Sequence, residues 1–107
     1  MAFVHADGSA ATANGGAPVL PTQMALPAPS ATPVSFGQPV CRVVIQNNTA
    51  APLYRAYAGD ASLGSYAIAA GGTAADLVVT GTLSLYAMAA ATINGTATGG
   101  IVVEGYL

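Results

Sequence analysis

The sequence has no lysine and no tryptophan, and it has one cysteine and one histidine. Charged residues make up only 6% of its 107 residues. An ordinary soluble domain is roughly a quarter charged. The charged set is Asp7, Arg42, Arg55, Asp60, Asp76 and Glu104. Two cations and a net charge of -2 exclude a nucleic-acid role, because phosphate contacts need several Lys or Arg side chains. The same shortage excludes binding to an anionic membrane surface. A single cysteine, Cys41, rules out an internal disulfide. It alternates with Arg42 beside Val43 and Ile45 and reads as a small core residue. The apolar runs are far shorter than the roughly 20 residues a membrane-spanning helix needs. The start, MAFVHADGSAATANGG, lacks the basic and apolar regions of a secretory signal, so synthesis and assembly in the cytoplasm are expected.

The chemistry of catalysis is equally thin. His5 lies in a stretch without periodicity, and the four acids are isolated from one another. No Cys/His spacing suits zinc, no calcium-loop pattern occurs, and the glycine pairs sit at turns without a phosphate-loop context. No enzyme activity, metal or cofactor is expected. Asp60 follows Gly59 and reads as a turn residue, and Asp76 as a solvated strand position. Asn47-Asn48-Thr49 and Asn94-Gly95-Thr96 match the glycosylation pattern, and each also has a turn explanation.

What is present divides the chain at about residue 39. Residues 1–39 are rich in Ala, Gly, Pro, Ser and Thr, and hold Pro18, Pro21, Pro27, Pro29, Pro33 and Pro39. Proline removes a ladder donor and breaks helices, so this segment reads as extended backbone, disordered in isolation. It also carries scattered apolar anchors: Phe3, Val19, Leu20, Met24, Leu26 and Phe36. We therefore expect an N-terminal arm, ordered by lying along a partner surface; the alternative is a solvated tail.

Residues 40–107 have the pattern of short strands. Runs of period-two alternation at 40–48, 53–58, 64–69 and 73–80 are bounded by Asn, Pro and Gly turn signals. The stretch 82–107 reads as two strands joined by a tight turn at Asn94-Gly95, a dipeptide suited to the positive φ of a type I′ turn. The expected fold is all-β: a small antiparallel sandwich or jelly-roll-like barrel behind an extended Pro/Ala/Gly-rich arm. Both faces of the last strands are apolar, so one needs a cover from outside the chain. A body this small without disulfides or metal is marginal alone, and association is the remaining stabiliser. Tyr54, Tyr57, Tyr86 and Tyr106, with Tyr66 and Val102, are the candidate interface residues on the body; each tyrosine is equally readable as a strand residue half in the core. Glu104, in an apolar strand, calls for a cation, and Arg42 or Arg55 is the expected partner, within the chain or across an interface.

The opening VVIQNNT, the low-charge Gly/Ala/Thr/Val middle, the piece LYAMAAA and above all the ending IVVEGYL resemble small β-sandwich structural proteins of tailed bacteriophages. The resemblance covers roughly the last two-thirds of the chain. It implies a decoration (cement) protein on the capsid surface of a virion, assembled in the host cytoplasm. Its partners would be the major capsid protein or other virion proteins and sister copies, often as a trimer. A neck, tail or fibre-base component is an alternative within that class. A carbohydrate-binding or adhesive sandwich is an alternative outside it.

Overall fold

In the computed structural model, residues 18–94 and 100–107 are described in full, together with the backbone pairing of two short strands nearer the start. Those two are β1 (Phe3–Val4) and β2 (Ala10–Ala11), which pair antiparallel. The other strands are β3 (Met24–Leu26), β4 (Ser30–Val40), β5 (Arg42–Asn47), β6 (Leu53–Ala56) and β7 (Tyr66–Ile68). They continue with β8 (Thr73–Asp76), β9 (Thr80–Ala87), β10 (Ala91–Ile93) and β11 (Ile101–Tyr106). The described residues contain no helix. Two sheets pack face to face as a sandwich. One has five strands in the order β3-β10-β11-β5-β8, the other four in the order β4-β9-β6-β7.

Burial alternates along the strands as period-two geometry requires. In β5, Val43, Ile45 and Asn47 point inward while Arg42 and Gln46 are exposed. In β11, Ile101, Val103 and Gly105 are buried. The opposite sheet supplies Leu53, Ile68, Leu83, Leu85 and Ala87, and the shared core is closed by Leu26, Val34, Phe36, Val40 and Ile93.

The sandwich begins earlier than residue 40. Leu26 and Phe36, expected as anchors of an arm on a partner, are core residues of this chain, and Val34 between them is another. β4 tolerates Pro33 and Pro39 because it is an edge strand, where a missing N–H faces away from the ladder. Its register against β9 shifts between Ser35 and Val40, with Gly37 at a φ of 76° inside the bulge. The bulge absorbs extra residues, and Phe36 and Val40, on either side of Gly37, both face the core. Val19 makes an isolated bridge to Gly105, and Met24 packs against the core. Leu20 is 55% exposed, and Phe3 has its side chain outside the described residues.

The closing hairpin is also different. β9 and β11 lie in different sheets, and the chain changes sheet at residues 88–90. β10 then runs parallel to β11, paired at Ile93 and Ile101. Asn94 does have positive φ, 49°, as its turn chemistry suggested. Its side chain, however, extends the ladder in place of backbone. Nδ2 donates to the Val103 carbonyl at 2.9 Å, and Oδ1 accepts from the Val103 N–H at 3.0 Å. Gly95 lies outside the described residues.

Candidate functional site

The two sheets leave one flank open, where the edge strands β7 and β8 come together. The inner-face rung of the four-stranded sheet runs Thr32, Leu85, Arg55, Tyr66. At the core end Leu85 is fully buried, whereas at the edge Tyr66 is 78% exposed. On the other sheet, Asp76 is the register partner of Val43 and so points inward from the edge strand β8. Arg55 and Asp76 thus meet across the mouth of the gap between the sheets.

They form a bidentate ion pair. Arg55 Nε donates to Asp76 Oδ2 at 2.5 Å and Nη2 to Oδ1 at 3.0 Å. This fork-on-fork geometry is the strong form of the Arg–carboxylate contact. Tyr57, two residues on from Arg55 and on the same face, donates its hydroxyl to Asp76 Oδ2. The Arg55 guanidinium also lies over the Tyr66 ring, 5.8 Å from its centroid. The hydrogen bonds from Arg55 hold the Asp76 carboxyl below its ordinary range. Burial, with the Asp76 hydrogen bond second, pushes the Tyr57 phenol well above its ordinary value. The pair is therefore ionised and the phenol neutral across the physiological range. Two adjoining depressions of about 570 and 540 Å³ flank the cluster, and both are lined by Arg55, Tyr57 and Tyr66.

The partner of Arg55 is thus Asp76, not Glu104. Glu104 accepts a hydrogen bond from the Tyr106 hydroxyl at 3.3 Å, and Arg42 stacks on the Tyr106 ring at 5.4 Å. The register explains this: Tyr106 lies directly opposite Arg42, whereas Glu104 faces Val44. Among the described residues, Arg55–Asp76 is the ion pair within the chain. Sequence reading treated Asp76 as solvated because nothing local marks it; its partners lie 21 and 19 residues away.

The other candidates spread over the outer faces. Tyr54 and Tyr86 face each other across β6 and β9 with rings edge-on, 6.3 Å apart at 71°. Ala31 and Ala67 complete their rung. Val102 and Tyr106, half-buried, lie on the outer face of the five-stranded sheet with Arg42 and Glu104. Cys41 is half-buried at the junction of β4 and β5 rather than in the core. His5 lies outside the described residues.

A second polar centre is structural. Asn47 is fully buried at the end of β5. Its amide nitrogen lies within hydrogen-bond distance of the Ala51, Ile68 and Ala69 carbonyls, and its oxygen accepts from the Thr49 N–H and hydroxyl. It ties both sheets to the loops at one end. With its amide committed in this way, Asn47 offers no glycan acceptor in the folded chain. In the sequence Asn47-Asn48-Thr49 reads as a glycosylation pattern or a turn, and neither marks a buried amide. The chain matches no known protein-family model, no curated protein and no solved structure.

Proposed function

We propose that this chain is a non-enzymatic structural protein of a virion, a decoration protein that stabilises a capsid by bridging its subunits and sister copies. The observation that carries this reading is the outer face of the four-stranded sheet. Its central rung is Ala31, Tyr86, Tyr54 and Ala67, without charge. With Arg55 and Asp76 neutralising each other, Arg42, Asp60 and Glu104 are the only other charges among the described residues. A surface so poor in charge is suited to being covered. Paired tyrosines offer large contact area with a polar handle, the composition favoured at interface centres. A neck, tail or fibre-base position would use the same surface.

The test is light scattering after size-exclusion chromatography on the full chain and on a chain beginning at Pro18, each then mixed with empty phage capsids. The reading expects a defined oligomer that binds capsids, with weaker binding after Tyr54→Ser and Tyr86→Ser together. A monomer that leaves capsids untouched would sink it.

A further inference from the structure

The cluster at the open flank is over-built for a structural ion pair. Arg55 carries five N–H donors. Two go to Asp76, and a third, on Nη1, reaches the Ala67 carbonyl at 3.4 Å. Tyr57 is a further hydrogen-bond partner of Arg55, so with Asp76 and Ala67 four of the five are engaged and one remains beyond these partners among the described residues. Asp76 Oδ2 accepts twice, from Arg55 and Tyr57, but Oδ1 accepts once and keeps a lone pair for a further donor. Donor and acceptor sites therefore stand side by side, fixed by the bidentate pair, at the edge of two depressions. Beside them lies an aromatic ring, Tyr66, that is 78% exposed, and beyond it Leu77, 88% exposed.

Three features define the ligand chemistry. The charges of Arg55 and Asp76 cancel, and neither depression is lined by another charged side chain, so the ligand is neutral. The remaining donor of Arg55 beside the open lone pair of Asp76 suits a group that both donates and accepts, which is a hydroxyl. An exposed aromatic ring suits the flat apolar face that a hexose presents through its C–H groups. Each depression is of the size that holds a small ligand. We propose that the Arg55–Asp76–Tyr66 flank is a binding site for a neutral saccharide, with the sugar ring on Tyr66 and its hydroxyls on Arg55 and Asp76. The site gives residues to the adhesive alternative raised from the sequence and does not depend on capsid binding. The paired tyrosines proposed to meet a capsid, Tyr54 and Tyr86, lie on the outer sheet face, not on this flank.

The experiment is an NMR titration of the ¹⁵N-labelled full chain with glucose, galactose, mannose, N-acetylglucosamine, lactose and cellobiose. Sialic acid and glucose 6-phosphate serve as charged comparisons. At least one neutral saccharide should shift the amides of residues 64–67 and 75–78 and saturate in the millimolar range. Tyr66→Ala should weaken that binding about tenfold. Tyr66→Phe should keep it, since the ring and not the hydroxyl is the platform. Tyr66 is exposed enough for both variants to fold, which their circular dichroism checks. Any of three results overturns the proposal: no shift with any neutral sugar, shifts confined to other residues or to the charged sugars, or binding that Tyr66→Ala leaves unchanged.

Discussion

Asn47 does the work of several residues at one end of the sandwich. Its side chain satisfies carbonyls of the loop at Ala51 and of the end of β7 at Ile68, while its own N–H donates to Gly72 and its carbonyl accepts from Gly71. Asn47→Ala would leave buried acceptors without donors, at a cost of about 2–3 kcal/mol. Urea denaturation should show the loss as a lower midpoint at unchanged slope. Asp76 makes a different prediction, one of pH. Its folded-state pKa is depressed, so its contribution is present above the ordinary Asp value of about 3.9 and is lost as pH falls through the lower folded value. Acid unfolding of the wild type should therefore steepen below about pH 4. Asp76→Asn should flatten that part of the curve and cost about 2 kcal/mol at neutral pH, between an exposed and a buried pair. Thermal melts across pH would settle both. Neither residue could be ranked from its sequence neighbours. Asn47 reads as a loop residue and Asp76 as a solvated one, because the groups they bind arrive only when the chain has folded back over them.

The elements that sequence patterning located best are those with clean alternation and turn residues at both ends. β5, β6, β7 and β11 fall within the expected runs. The run 73–80 is halved, since the strand stops at Asp76 and only Val78 of the next three residues packs on the core. β4 was missed because its prolines argue against a strand, and only its place at a sheet edge makes them harmless. β9 and β11 were wrongly joined because Asn-Gly is a local signal, and nothing local says that the chain crosses between sheets before it. The crossing of β11 with β4 carries a sharp test. A Cβ on Gly105 would lie 2.7 Å from Val40 Cγ1 and 3.0 Å from the Phe36 ring. Gly105→Ala should cost about 1–3 kcal/mol by overpacking. Val40→Ala should recover part of it, so that the double variant is less destabilised than the sum of the singles. Removal of residues 1–39 takes away β4 with Leu26, Val34 and Phe36; that chain should lose its cooperative melting transition altogether.

At the scale of the whole molecule, composition alone announced the low charge, and period-two patterning announced an all-β fold in two apolar-faced layers. The assignment of strands to sheets was not legible, because apart from β6–β7 and β10–β11 successive strands switch layers and pair with partners far along the chain. The low charge leads to a prediction about association. Self-association through surfaces with so few charges should be nearly independent of ionic strength, since there is little Coulomb energy to screen. Sulfate should strengthen it, as excluded salts strengthen apolar burial. Sedimentation equilibrium at low and high sodium chloride, and then in sulfate, would test this; dissociation by sodium chloride would point instead to a charge-driven contact.

The placement of β11 also decides how the larger sheet can come apart. It is the middle strand of five, with β10 on one side and β5 on the other. An edge strand can peel away and leave the rest of a sheet intact, but an event that frees β11 strips a ladder from both its neighbours at once. The two halves of the sheet, β3 with β10 and β5 with β8, then have nothing to hold them in one layer. β5, β10 and β11 therefore share one fate, opening together or not at all.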